Sequence, residues 1–184
     1  DAASTNFTAV GDLTNTPAAG TGFLTFVFPD DYFDGNADGF PKSLSLSGSE
    51  NSGTIQPMIN QNPDGFTLLG NPYASTIDFD DLTTSDITGV AYAWDPNDNT
   101  GDASDTNNSN GSWKTWDGAG NGSLTNGLIA PFQGFFVQTI SNPDSPGVTI
   151  EEADKTTGGS FLGKTTDPLA VRLELNGQNF TNST

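Results

Sequence analysis

The apolar residues of this chain come in short runs, each broken within a few positions by Gly, Asn, Asp, Ser or Pro. An amphipathic helix needs apolar residues at three- and four-residue spacing across a window of ~11 or more positions, and no window here supplies them. The strand pattern recurs instead. Residues 22–28 (Gly-Phe-Leu-Thr-Phe-Val-Phe) are apolar and aromatic and close on Pro29, residues 42–46 alternate, and residues 54–59 are β-prone around Pro57. Residues 66–69, 89–94, 134–140, 148–151 and 169–175 complete the set. In the last of these, Val171, Leu173 and Leu175 alternate with Ala170, Arg172 and Glu174, the period of a half-buried strand. One short turn of helix near 80–86 is the sole helical candidate. Many short strands with turn residues between them predict an all-β fold, an antiparallel β-sandwich or jelly-roll-like arrangement. The expected buried set is Phe23, Phe26, Phe28, Leu68, Leu69, Ile77, Tyr92, Phe135, Val137, Leu173 and Leu175.

A chain of 184 residues is long enough to bury a substantial core. It reads either as one continuous domain or as two related halves, 1–62 and 63–184. The second option rests on an echo between 17–26 and 131–137, each a Pro, a Gly-containing turn and an aromatic strand. Five Lys and Arg against 23 Asp and Glu give a net charge of −18. Four of the acids are Glu and the remaining 19 are Asp, whose short carboxylate favours turns, loops and cations over helix interiors. This balance argues strongly against binding to a nucleic-acid backbone and disfavours an anionic membrane surface. There is no Cys to staple the fold, and no run approaches the ~18 apolar residues of a membrane span. No signal peptide is read at Asp1 and residues 169–175 read as a strand close to Thr184, a pattern expected of a mature or excised piece of a larger protein.

One segment is more specific than the rest. Gly65-Phe66-Thr67-Leu68-Leu69-Gly70-Asn71-Pro72-Tyr73-Ala74-Ser75-Thr76-Ile77-Asp78-Phe79-Asp80 has the form of a strand, a tight turn and an acidic corner. It resembles a signature, G-[FW]-x-L-[LV]-G-N-P-Y-x-[ST]-x-I-D-[FW]-D, of β-sandwich modules in large secreted and cell-surface proteins of the Bacteroidota. Tyr92-Ala93-Trp94-Asp95, and then residues 129–137 with their Gln-Gly-Phe-Phe-Val core, follow in the order typical of those proteins. The resemblance implies an extracellular or cell-surface setting, export by the type IX pathway, and neighbouring modules of the same protein as partners. It carries no catalytic residues.

Three groups of residues could carry chemistry. Asp34-Gly35-Asn36-Ala37-Asp38-Gly39-Phe40 fits D-x-[DN]-x-[DN]-G, the first half of a calcium loop. Asp34, Asn36 and Asp38 would offer side-chain oxygens and Phe40 its carbonyl, with Asp31 just upstream. Position twelve is Ser45 where an EF-hand has Glu, so the loop would be a calcium site on a β-scaffold, and the plainer reading is an ordinary Asp-Gly turn. Asp95, Asn97 and Asn99 repeat the alternation in a stretch that also reads as a solvated insertion. Trp94, Trp113 and Trp116 could stack on sugar rings, or could pack in the core or at its rim. Asp78, Asp80 and Asp81 suit the cap of a short helical turn.

Hydrolysis by paired carboxylates has no specific signal, and without His or Cys the usual proton shuttle and thiol nucleophile are missing. The sequence therefore reads as a non-catalytic extracellular structural or adhesion module with calcium-stabilised loops. A carbohydrate-binding module and the subunit of an extracellular filament are the alternatives.

Overall fold

The computed structural model describes residues 16–25, 35, 48–96 and 111–162. Within them lie nine short strands: β1 (Phe66–Gly70), β2 (Thr76–Asp78), β3 (Thr83–Ser85), β4 (Ala91–Asp95), β5 (Ser112–Trp116), β6 (Leu128–Ile129), β7 (Gly134–Gln138), β8 (Gly147–Thr149) and β9 (Lys155–Thr156). Single 3₁₀ turns occupy Phe79–Asp81, Thr125–Gly127 and Glu152–Asp154, and no α-helix occurs among the described residues. The strands form three antiparallel sheets, ordered β1-β7-β4-β5, β6-β2-β9 and β3-β8. The fold is all-β and sandwich-like, as the run lengths predict.

The core lies on one face of the four-stranded sheet. Side chains alternate across a strand, so Leu69 of β1, Ala91 and Ala93 of β4, and Phe135 and Val137 of β7 point the same way and are fully buried. They pack with Tyr73, Ile77, Phe79, Ile129, Val148 and Ile150 in one cluster. Phe79 meets Phe135 edge to face, with ring centroids 6.2 Å apart.

The turn after β1 locks this core to the chain. Pro72 has no N–H to donate, and β1 stops two residues before it. Asn71 is buried, and its side-chain nitrogen donates to the carbonyls of Ser75 (2.9 Å), Ile129 (3.1 Å) and Ala130 (3.0 Å). Its side-chain oxygen accepts from the Tyr73 N–H at 3.0 Å. Tyr73 folds its ring wholly inside, and its hydroxyl donates to Gly53 O (2.5 Å) and Ile150 O (3.3 Å). Lys155 Nζ sits 4.4 Å from the centre of that ring and 3.1 Å from Glu50. Residues on the N-terminal side of 62 are thus bonded to strands that come later. Gly20 and Gly22 exchange backbone bonds with Gly70 and Leu68, and Ile55 bridges Ile150.

Several expectations are corrected. Phe23 is 63% exposed. Thr21 bridges Leu69, but no strand continues through residues 22–25, so Phe23 lacks the ladder that would have aimed it inward. Leu68 and Tyr92 are only half-buried, because each neighbours a residue already committed to the core and must point to the opposite face. Residues 54–59 contribute one bridge and no strand. The helical turn falls at Phe79–Asp81 and gives way to β3, in place of a turn near 80–86. Phe26, Phe28, Leu173, Leu175 and the strands expected at 42–46 and 169–175 lie outside the described residues.

Candidate functional site

The face of the four-stranded sheet turned away from the core is aromatic. With Leu69, Ala91, Ala93, Phe135 and Val137 inside, the alternation turns Phe66 and Leu68 of β1, Phe136 and Gln138 of β7, Tyr92 and Trp94 of β4, and Trp113 and Thr115 of β5 outward. The register sets them in rows across the strands: Phe66 opposite Gln138, Leu68 opposite Phe136, Phe136 opposite Tyr92, Tyr92 opposite Thr115, and Trp94 opposite Trp113. At one end Gly70 pairs with Gly134, and the backbone of Thr21 and Gly22 lies against Gly70 there.

The rings touch edge to face. Phe66 and Tyr92 have centroids 5.6 Å apart at 73°, Trp94 and Trp113 5.1 Å apart at 70°, and Trp113 and Phe136 5.4 Å apart at 83°. Aromatic quadrupoles favour this geometry, which fixes the rings against one another and so holds the face in a set shape. Trp94 and Trp113 remain 42% and 49% exposed, and Phe66 40%. None of these outward positions is charged, although charged residues make up 15% of the chain. Gly111 lets the chain re-enter β5 beneath this cluster: its φ is +69°, and an added Cβ would lie 2.7 Å from both the Trp94 ring and Asp95 O.

Of the three tryptophans singled out in the sequence, the structure brings two together. Trp116 lies three residues beyond Trp113 on the same strand, an odd number, and so takes the other face. It packs against the core, and its Nε1–H donates to Asp80 Oδ1 at 2.7 Å. Gly127 makes room for it, since a Cβ there would sit 2.7 Å from the indole. Phe66, Tyr92 and Phe136 belong to the outer face and were not anticipated there. The clue was available in the doubled apolar residues Leu68-Leu69 and Phe135-Phe136, where only one of each pair can face the core.

The acidic groups are arranged differently. Asp78 caps the turn at Phe79–Asp81 by accepting from Asp80 N–H at 3.0 Å, the structural role expected of that corner. Burial raises its carboxyl above the usual range, the Asp80 N–H opposes that, and the neighbouring charges of Asp80 and Asp81 raise it further. Asp86 and Asp117 organise loops: Asp86 accepts from Ser145 and Asp144 N–H, and Asp117 from Ala119 and Asn121, bonds that hold both carboxyls below the usual range. Asp95 is half-buried at the end of β4, while Asn97 and Asn99 lie outside the described residues. So do Asp31, Asp34, Asn36, Asp38 and Phe40. Among the described residues no cluster of three or more carboxylates is placed to hold a metal ion, and no helix is long and apolar enough to cross a membrane.

A family model described as a domain of unknown function (DUF8693) matches residues 14–161, most of the chain. The chain belongs to this family. The match takes in every described strand, so the sandwich, the Asn71 corner and the aromatic face all fall within the family domain. No curated protein and no solved structure matches the chain.

Proposed function

We propose that this DUF8693 domain is a non-catalytic, extracellular structural and adhesion module of a large bacterial surface protein, and that it adheres through the outer face of its four-stranded sheet. The observation that carries this reading is the uncharged aromatic surface on a strongly acidic molecule. Exposed, contiguous apolar surface costs solubility, and on soluble proteins it is characteristic of contact sites. Edge-to-face packing presets the rings, so little side-chain entropy remains to be lost on contact. The non-catalytic part rests on a chain without His or Cys, and the extracellular part on the resemblance of residues 65–80 to surface modules of the Bacteroidota. Calcium at Asp34, Asn36, Asp38 and Phe40, with Asp31, would stiffen a loop of the same module. Neighbouring modules of one long chain are its constant partners in this reading.

The test is adhesion under flow. Beads carrying the folded domain are expected to be retained on a surface coated with bacterial biofilm matrix. Beads carrying the Trp94→Ser, Trp113→Ser double variant are expected to wash off. Equal retention of the two, with matched melting curves, would overturn the assignment to this face.

A further inference from the structure

The chemistry of the aromatic face selects a partner, and this step rests on the adhesion reading above. We infer that the face binds a single chain of neutral polysaccharide, with a pyranose ring stacked on one indole of the Trp94–Trp113 pair and flanked by the edge of the other.

The charge of the molecule narrows the choice first. At −18 the body repels anionic polysaccharides, nucleic acids and acidic membranes, and a second copy would bring another −18 to the contact. A cationic protein would be drawn to the acidic body, yet among the described residues the outward strand positions offer it no carboxylate. A neutral polymer is indifferent to the net charge and has only the face itself to recognise.

The side chains narrow it further. Leu68 is the only aliphatic residue among the outward positions, so an apolar protein surface would find little to interdigitate with. The rest are the apolar rings of Phe66 and Phe136, three rings that carry a polar edge (Tyr92, Trp94 and Trp113), a Thr and a Gln. Tyr92 has its hydroxyl, Trp94 and Trp113 their indole N–H groups, Thr115 a hydroxyl, and Gln138 an amide that already donates to Asp64 O at 3.2 Å. Sugar rings present the complementary surface, with apolar C–H faces for the indoles and equatorial hydroxyls for the polar groups between them. Indoles that are nearly half exposed keep area free for such stacking.

Ring geometry then selects the physical form of the ligand. A crystalline polysaccharide is flat and calls for coplanar rings. Trp94 and Trp113 stand at 70° and Trp113 and Phe136 at 83°, which no flat crystal face can meet at once. One chain in solution can twist to lie on one indole while the edge of the other flanks it.

Affinity electrophoresis in native gels tests this directly. The probes are soluble mixed-linkage glucan, xyloglucan, galactomannan and xylan, with alginate and polygalacturonate as anionic counterparts and microcrystalline cellulose as an insoluble control. Wild-type protein is expected to be retarded by at least one neutral polymer, not by the anionic ones, and to leave crystalline cellulose unbound. Trp94→Ala with Trp113→Ala should weaken the retardation about tenfold or more. Trp116→Phe, on the opposite face, should leave it unchanged, and circular dichroism melts establish that each variant is folded. No retardation in any neutral polymer, retardation confined to the anionic ones, or a folded double variant that binds like wild type would each overturn the inference. If beads still adhere through the two tryptophans while every neutral polymer fails, the adhesion reading stands and the glycan assignment falls.

Discussion

Asn71 shows how much one side chain can decide. Its amide nitrogen lies near three carbonyls and its oxygen takes the Tyr73 N–H, so four backbone groups depend on it in a buried site. Buried polar groups left unpaired cost about 1–3 kcal/mol each. Asn71→Leu keeps the volume and is expected to cost on the order of 3 kcal/mol or more by that measure, read in urea melts. Asn71→Asp is more informative. Its carboxylate would face three carbonyl oxygens with no proton to offer, so burial and these dipoles would raise its folded pKa. A carboxyl whose pKa is raised on folding penalises the native state above that pKa and relieves it below. The variant should therefore be poorly stable near neutrality and regain part of the loss toward pH ~4, where its O–H can donate one bond. A loss independent of pH would mean that the carboxylate had found a solvated position.

At the scale of elements, the turn at Glu152–Asp154 makes a similar point with a natural carboxylate. Asp154 is buried, accepts from Glu151 N–H at 2.6 Å, and stands near Glu151 and Asp81. Burial raises its pKa, the Glu151 N–H lowers it, and the two acidic neighbours add to the rise. The sign follows: with a folded pKa above the unfolded one, ionised Asp154 works against the fold, and acidification from just above the ordinary carboxylate range relieves it. Asp154→Asn keeps an acceptor for Glu151 N–H without the charge. It should be no less stable than wild type at pH 7, and its melting temperature should lack the wild type's gain from this group on mild acidification. Wild-type and variant pH profiles that run parallel would refute this. Elements also show where sequence reading worked. β1, β4, β7 and β8 were legible because turn residues bracket their apolar runs. The end of β1 before Pro72 was legible because Pro cannot extend a ladder. The two-residue strands β6 and β9 carry no periodicity to read. β5 was missed because Ser112-Trp113-Lys114-Thr115-Trp116 is mostly polar and becomes a strand only by pairing with β4. The same blindness split the tryptophans wrongly: composition grouped Trp113 with Trp116, and only the register against β4 separates them.

For the whole molecule, the balance of charge is the dominant fact. Among the described residues Lys155 pairs with Glu50 and Glu152, yet the chain as a whole has 23 acids for five cations. Self-repulsion on this scale disfavours compactness and is screened by salt over about 10 Å at 0.1 M ionic strength. Sodium chloride alone should therefore raise the melting temperature, and that rise must be separated from any specific site. Calcium bound at Asp34, Asn36, Asp38 and the Phe40 carbonyl would act differently. An ion that binds only the folded chain stabilises it by RT ln(1 + [L]/Kd), about 2.7 kcal/mol at a hundredfold excess over Kd. At matched ionic strength, millimolar calcium should raise the melting temperature beyond sodium, and a chelator should reverse the increment. Magnesium should substitute poorly, since its small octahedral shell gives up water reluctantly. Asp34→Ala with Asp38→Ala should abolish the increment while keeping the response to salt. Equal effects of calcium, magnesium and sodium at one ionic strength, together with no heat of calcium binding by calorimetry, would reduce the loop to an Asp-Gly turn and leave screening as the whole effect.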